Sequence, residues 1–381
     1  MKKYKYWTSK NLNIEKDSEI YDAADFLQSN FCPKGADRMW SLEYFKWKIG
    51  SENPAGRGVL SCAFHNNKIV GVASLTKKRV LIDGEELVAA EVGDTYTLPS
   101  IMRRGKPVKL SSYDQNSSSY VNKSIFGRLI NDLTNQAINE GIFIIYGTPN
   151  KNSYPGYTKK LGYFEIGAYQ NSRYIRPTSN YLVQTYKTIR PIGGMIKFFE
   201  SAMLISQQFL YKNLFFKGFD FCEGIPSEEE INDLWQSIRP KSGFSLVRDY
   251  LYWSHRYLNH PIASYRFFTI YKNGVLIAMA TTRIFTTRKN NKSIAIVEWM
   301  TQENKIITYM LLNILKYFKK ENANYYYYWS DKNCENAPFP KSNLFFIKDK
   351  VPIIFSGTRE AKLLDKKGLL MSFYLGSSDA I

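Results

Sequence analysis

The residues able to do chemistry gather in two stretches. One is Asn150, Ser153 and Tyr157 followed by Gly162-Tyr163, in the pattern Asn-x2-Ser-x3-Tyr-x4-Gly-aromatic. It comes just past the apolar run Ile142-Phe143-Ile144-Ile145-Tyr146, so an amide, a hydroxyl and a phenol follow the end of an expected strand. The plain alternative is a polar loop leading into a helix with a core tyrosine. The other stretch is Glu91-Val92-Gly93-Asp94-Thr95-Tyr96-Thr97-Leu98-Pro99. Glu91 or Asp94 can take a proton from an amine, directly or through water. Asp94 can equally be a strand-end residue that bonds nearby backbone amides. No Cys or Ser is paired with a His, so covalent catalysis has no candidate nucleophile. Cys32, Cys62, Cys222 and Cys334 are widely spread with no Cys-x-x-Cys, which speaks against a disulfide framework or a zinc site and fits a reduced cytoplasm. His255 and His260 do not share a helix face and read as structural or solvent-facing, so no metal is expected. A P-loop is absent.

These groups need a frame, and the sequence supplies one twice. Tyr44-Phe45-Lys46-Trp47 recurs as Tyr250-Leu251-Tyr252-Trp253, followed by Asn53-Pro54 in one case and Asn259-His260-Pro261 in the other. Each leads into a strand, a polar turn and a second strand. The turns are His65-Asn66-Asn67-Lys68 and Tyr271-Lys272-Asn273-Gly274. Pro54 to Gly71 is 17 residues, and so is Pro261 to Ala278. The shared register predicts a duplication. An acidic strand follows in each half, ending Gly93-Asp94 and Glu298-Trp299. Then comes a helix, with Ile125, Leu129, Ile130 and Leu133 on one face in the first half and Ile307, Met310, Leu311 and Ile314 in the second. Ile142 to Tyr146 and Tyr325 to Trp329 close the halves as strands. A helix opens each, capped by Asp17 in the first and by a Ser227/Glu230 capping box in the second.

The expected fold class is therefore α+β. Two tandem units, each a mixed and mostly antiparallel sheet flanked by helices, occupy residues 1–180 and 226–381. Residues 181–225 form a helical connector whose apolar run, after Arg190-Pro191-Ile192-Gly193-Gly194, is expected to pack between the units. Lys197, Glu200, Gln207, Gln208 and Lys212 make that run too polar to span a membrane, and a surface amphipathic helix stays open.

Composition bounds the partners. The chain has 381 residues, 44% hydrophobic and 15% aromatic, which is enough for real cores and excludes global disorder. Lys and Arg total 52 against 34 Asp and Glu, a formal charge of +18. That charge suits a polyanion, whether nucleic acid, anionic lipid or a phosphate-bearing cofactor, or it reflects a compositional bias toward Lys, Asn, Ile and Tyr. The basic residues are scattered (Lys77-Lys78-Arg79, Arg103-Arg104, Lys319-Lys320, Lys366-Lys367) rather than gathered on one element with interleaved aromatics, which argues against nucleic acid. Met1 to Trp7 is basic with no apolar run behind it, so no secretory signal is read and a cytoplasmic place is expected.

The stretch from Glu91 to Tyr163 resembles the core of the GNAT superfamily, the acyl-CoA-dependent N-acyltransferases. The resemblance implies two tandem GNAT-like domains. Glu91 to Pro99 would be the central fourth strand, splayed from its neighbour so that its backbone binds pantetheine amides, with Thr95, Tyr96 and Thr97 on the cofactor. It implies Asn150 on pantetheine, Ser153 on the cofactor, Tyr157 as general acid to the leaving thiolate and Asp94 as the base. Trp47, Glu91 and Tyr154 would bind the acceptor. Lys123, Ser124 and Ile125 would stand at the pyrophosphate. There the chain departs from the family, since Val121 to Gly127 lacks the Arg and glycines of Arg/Gln-x-x-Gly-x-Gly/Ala. The extra stretch Arg103-Arg104-Gly105-Lys106 either reaches phosphates or is a solvated loop. The second half has Thr301 to Asn304 at the phosphate loop, and Asp331, Asn333 and Glu335 after Trp329. It is read as a degenerate domain that shapes the acceptor cleft.

The segment around Trp47 and Asn53-Pro54, Thr148-Pro149-Asn150 and Leu375-Gly376-Ser377-Ser378-Asp379 is similar to bacterial N-acyltransferases of dTDP-linked 3-amino-3,6-dideoxyhexoses, enzymes of surface-polysaccharide pathways. That similarity implies acetyl-CoA or a short hydroxyacyl-CoA as co-substrate and a nucleotide-linked amino sugar as acceptor. It also implies direct attack without an acyl-enzyme, no nucleic acid, no stable membrane insertion, and a monomer or homodimer. The competing readings are a tandem-GNAT peptidoglycan ligase using aminoacyl-tRNA, for which no sustained coiled-coil heptad is visible, and a non-enzymatic basic nucleic-acid-binding protein.

Overall fold

The computed structural model describes residues 7–31, 40–98, 124–286, 291–301, 303–330 and 346–366. Lys123, the stretch from Arg103 to Lys106, Cys32, Cys334, Asp331, Asn333, Glu335 and Leu375 to Asp379 lie outside the described residues. The rest forms two compact units. The first comprises the described parts of Met1–Tyr169, Asn259–Ile262 and Val351–Leu369, and the second those of Gln170–Leu258, Ala263–Lys350 and Leu370–Ile381.

The first unit runs β1 (Thr8–Asn11), α1 (Asp17–Phe31), α2 (Leu42–Ile49), β2 (Val59–His65), β3 (Lys68–Ile82), β4 (Glu85–Thr97), α3 (Ile125–Asn139), β5 (Ile145–Gly147), α4 (Tyr154–Lys160) and the start of β6 (Phe164–Pro177). β1 to β4 pair antiparallel in sequence order, and β5 returns parallel to β4 after the α3 crossover. Ile125, Leu129, Ile130, Leu133 and Ala137 of α3 are buried against Ala73, Leu75, Ala90 and Val92 of the sheet. Each large apolar side chain so buried contributes about 1.5–3 kcal/mol. On the other face α1 and α2 cover Leu60, Cys62 and Val72 with Ile20, Leu27, Phe45 and Ile49. Asp17 stands in the first turn of α1 rather than at its cap, where it pairs with Lys46 at 2.8 Å.

The second unit continues with α5 (Ser179–Thr185), α6 (Gly193–Phe215), β7 (Phe219–Glu223), α7 (Glu228–Ile238), β8 (Phe244–Leu246), α8 (Tyr250–Trp253), β9 (Arg266–Lys272), β10 (Val275–Thr286), β11 (Lys292–Thr301), α9 (Asn304–Tyr317) and β12 (Tyr325–Ser330). The expected Ser227/Glu230 capping box starts α7. β7, β9, β10 and β11 pair antiparallel in that order, and β12 returns parallel to β11. This is the topology of the first unit, and it matches the expected mixed, mostly antiparallel sheets. The aromatic strand β12 is core: Tyr326, Tyr327 and Tyr328 are buried.

The duplication is visible in the backbone. Val59 to Arg266 and Lys68 to Val275 are both steps of 207, so the two hairpins start in phase. Their tips, Asn66-Asn67 and Asn273-Gly274, all have φ between 51° and 79°, the left-handed pair of a two-residue hairpin turn. One residue is extra at the same place, Val70 in the first hairpin and Ile277 in the second. The sheets are completed by strands from the far part of the sequence. Ile354 and Phe355 of β13 (Phe346–Phe355) pair antiparallel with β5, ahead of α10 (Arg359–Lys366), and Ile175 to Pro177 of β6 pair antiparallel with β12.

The connector's apolar run forms α6 with one apolar side exposed, Phe198 at 68% and Phe209 at 67%, as in the surface helix that the sequence left open. The cause is that Glu200 and Gln208 have fixed partners on the body of the unit and turn the helix accordingly.

Candidate functional site

A cavity of about 200 Å³ opens in the first unit where β4 and β5 part. Their parallel ladder runs Ala90↔Ile145 and Glu91↔Tyr146, and among the described residues it goes no further. β4 continues to Thr97 along β3, while the chain after β5 turns away through Gly147, Thr148 and Pro149. Gly147 permits the close start of this opening, since a Cβ there would sit 3.3 Å from the Val92 carbonyl oxygen. The edge of β4 from Val92 to Thr95 lines the cavity opposite Gly147 to Asn150. An extended ligand can add to such an edge as a strand would.

A bulge decides which way the β4 side chains point. Val72 pairs with Tyr96 and Ser74 with Gly93, so Ala73 alone opposes both Asp94 and Thr95. Asp94 takes φ 44°, the left-handed region that a non-glycine residue rarely adopts. The extra residue reverses the alternation of faces. Before it, Ala90 and Val92 face the α3 core. After it, Asp94 and Tyr96 face α1 and α2, while Thr95 bonds Tyr157 and Thr97 lies against Gly71 on the α3 side.

Asp94 is thereby delivered to three donors. Lys48 Nζ lies 2.9 Å from Oδ2, the Ser74 hydroxyl donates to the same oxygen at 2.7 Å, and Trp40 Nε1 donates to Oδ1 at 3.2 Å. Burial alone would raise this carboxyl, but the Lys48 ammonium with the Ser74 and Trp40 hydrogen bonds outweighs it and holds the group below its ordinary 3.8. Asp94 is a carboxylate at neutral pH. Lys48, Ser74 and Trp40 escaped the sequence reading. Lys48 left one signal: with Phe45 and Ile49 it stands on the buried stripe of α2, where a cation is out of pattern. Trp40 and Ser74 left none.

Tyr157 closes the far side. It is buried on α4, edge-on to Phe126 and Tyr163 with centroids 5.0 Å away in each case. Gly156 makes room for this, since a Cβ there would come within 2.7 Å of the Phe126 ring. Burial, chiefly, pushes the phenol up, and a hydrogen bond with Thr95 opposes it only in part. The hydroxyl therefore keeps its proton through the neutral range. Asn150 caps the turn into α4: its Oδ1 accepts the N–H groups of Asn152 at 2.9 Å and Ser153 at 3.0 Å.

Of the residues expected at the site, the structure brings Asp94, Thr95, Asn150, Ser153 and Tyr157 to one cavity. Tyr96 packs on Phe26. Ser124 caps α3, accepting Gly127 N–H at 3.2 Å, and Ile125 is buried over Gly71. Glu91 points to Lys78, 3.4 Å away. Trp47 is buried with its ring 4.5 Å from that of His260. Tyr154 donates to Glu165 at 2.5 Å. Lys123 lies outside the described residues.

The second unit has a related polar cluster. β11 carries one extra residue where Thr281 pairs with Glu298 and Thr282 with Ile296. Ile294 and Ile296 face the α9 core, and Glu298 crosses to the other face. There Tyr252 donates to its Oε2 at 2.8 Å, Tyr257 donates to the same oxygen, and Arg248 lies 3.8 Å from Oε1. Burial dominates and raises the Glu298 carboxyl despite these partners. Each unit thus uses a bulge to bury a carboxylate two residues after an inward apolar one, Val92 or Ile296.

No protein-family model and no curated protein sequence matches the chain. Solved structures do match in fold. A probable N-acyltransferase of Enterococcus faecalis V583, described as a conserved protein of unknown function, has a TM-score of 0.56 at 13% identity, over 92% of this chain and 72% of its own. A GCN5-related N-acetyltransferase of Anabaena variabilis has 0.55 at 12%, over 92% and 72%. The N-myristoyltransferase of Saccharomyces cerevisiae, solved with bound myristoyl-CoA, has 0.56 at 10%, over 93% and 83%. At these identities the likeness is one of fold.

Proposed function

We propose that this chain is an acyl-CoA-dependent N-acyltransferase in which a neutral amine attacks the thioester directly. The observation that carries the reading is the opening between β4 and β5, lined from separate segments by Asp94, Thr95, Asn150, Ser153 and Tyr157. The free edge of β4 suits the amides of pantetheine. Asn150 spends its Oδ1 on the turn into α4, which leaves its amide N–H groups to donate to the arm. The neighbours' fold, in one case with myristoyl-CoA bound, supports the same choice of co-substrate.

The charge states of Asp94 and Tyr157 support one division of the proton traffic. The N–C bond forms as the C–S bond breaks. The amine gives up its proton through water on the Asp94 side, and Tyr157, neutral because it is buried, gives its proton to the departing thiolate. A carboxylate held by Lys48 is a weak base. It suffices for an amine that is already unprotonated at neutral pH, and an amine on a sugar ring is less basic than a lysine side chain. We therefore assign the acceptor as a nucleotide-linked amino sugar, with dTDP-3-amino-3,6-dideoxyhexose the specific choice supported by the sequence resemblance. The donor is acetyl-CoA or a short hydroxyacyl-CoA. Residues 1–180 carry the chemistry and 226–381 support it.

The test is thiol release over a panel of acyl-CoAs with dTDP- and UDP-linked amino sugars. Release that requires both substrates is expected. No release with any amine acceptor, or a thermal shift with tRNA and none with acyl-CoA, sinks the reading.

A further inference from the structure

Helix α6 has its polar side turned in and its apolar side turned out. Arg176 Nη2 donates to Glu200 at 3.0 Å, the Ser179 N–H donates to the same carboxylate at 3.0 Å, and Gln208 donates to Asn313. Leu204 is the one large apolar residue of α6 that is fully buried. On the half of the helix away from it stand Met195, Phe198, Phe199, Ile205, Phe209 and Leu210, between 50% and 68% exposed. Monomeric proteins rarely leave so contiguous an apolar face to water.

The charges around this face point to what covers it. Glu200 is the only acidic residue between Ser179 and Gly218, and it is spent on Arg176. Arg190, Lys197, Lys212 and Lys217 are all exposed. Within this segment the aromatic and aliphatic face is accompanied by exposed cations, and its one acid, Glu200, is paired. Two copies meeting through it would bring these like charges together with no acid of the same segment left to offset them. An anionic bilayer surface complements both parts, taking the rings into the headgroup–acyl boundary and the cations among its phosphates. Among the described residues no helix is long and apolar enough to cross a membrane. A helix of 23 residues lying flat extends about 35 Å.

We propose that α6 docks the protein reversibly on an anionic lipid surface. This stands apart from the acyl-transfer reading, and either can fail alone. The test is co-sedimentation of the full chain with vesicles of phosphatidylcholine, with and without phosphatidylglycerol, at low and high salt. The expected result is binding to the anionic vesicles only, weakened by salt. Phe198→Ser with Phe209→Ser should weaken it roughly a hundredfold, as two rings lose their burial, with thermal unfolding unchanged. A second variant, Arg190→Glu with Lys212→Glu, leaves the apolar face intact and should abolish the preference for anionic lipid. The proposal is overturned if the wild-type chain stays in the supernatant with anionic vesicles, or if both variants bind like the wild type. A lipid-free dimer that Phe198→Ser with Phe209→Ser dissociates, without vesicle binding, assigns the face to a second copy and also overturns it.

Discussion

Lys48 Nζ lies 2.9 Å from Oδ2 of Asp94, and each side chain is only 9% exposed. The pair ties the last turn of α2 to the β4 bulge beside the cavity. Its electrostatics fix the charge of the one carboxylate that lines the opening among the described residues.

Breaking the pair from one side should be costly. Lys48→Met leaves the buried Asp94 charge with only the neutral Ser74 and Trp40 donors, and urea denaturation should show a loss of about 3–5 kcal/mol. Adding Asp94→Leu should restore much of that loss, because the buried charge goes too. A single-variant loss below about 1 kcal/mol would mean that water reaches the pair.

Asp94 and Glu298 should move stability with pH in opposite directions. The folded pKa of Asp94 is below 3.8, so its contribution is whole above 3.8 and is lost as pH falls through the lowered folded value. The folded pKa of Glu298 is above 4.5, so its contribution is whole below 4.5 and is lost as pH rises through the raised folded value. Melting temperatures measured from acid to neutral pH should show Asp94→Asn most harmful near neutrality and less so below 3.8. Glu298→Gln should compare better with wild type as pH rises. Parallel pH trends in the two variants would contradict these assignments.

Tyr157→Phe should keep the edge-on packing against Phe126 and Tyr163 while removing the proton. Turnover is expected to fall about 10²–10⁴-fold with little change in the KM for acyl-CoA. Since burial raises the phenol, wild-type activity should not decline at the ordinary tyrosine value of 10.0. Unchanged kcat in the variant removes Tyr157 from the acid role.

Gly71→Ala tests how closely α3 must approach β3. The new methyl would lie 2.7 Å from Ile125 Cγ2 and 3.2 Å from Thr97 Cγ2. Overpacking of this kind costs about 1–3 kcal/mol. The shift falls at the start of α3, so the KM for acyl-CoA should rise more than kcat falls. A stable variant with unchanged KM would show that this end of α3 is not at the cofactor.

The hairpins and the duplication were legible because turn chemistry is local: Asn66-Asn67 and Asn273-Gly274 fix the register of the strands on either side of them. The Asn150, Ser153 and Tyr157 spacing was legible for the same reason, lying within one loop and one short helix. The setting of Asp94 was not. A pleated strand read by alternation puts Asp94 on the face of Ala90 and Val92, and only the bulge carries it across to Lys48, Ser74 and Trp40. Trp47 was expected to bind the acceptor, and it is buried against a histidine more than two hundred positions on, a neighbour no local pattern announces. The exchange of closing strands, β13 onto β5 and β6 onto β12, leaves no local mark because both depend on distant pairing. That α6 lies at the surface was open in the sequence, but which side turns inward was not, because Glu200 and Gln208 reveal their partners only in three dimensions.

The bulge at Asp94 also makes β4 sensitive to length rather than to composition. Deleting Asp94 would remove the surplus residue, let Thr95 pair with Ala73 in an unbroken pleat with Tyr96 and Thr97 on the faces they hold now, and cost the opening its carboxylate. Each half carries one surplus residue near this crossing, in β4 and in β11, so in both units the carboxylate's place is set by a count of residues rather than by the identity of its neighbours.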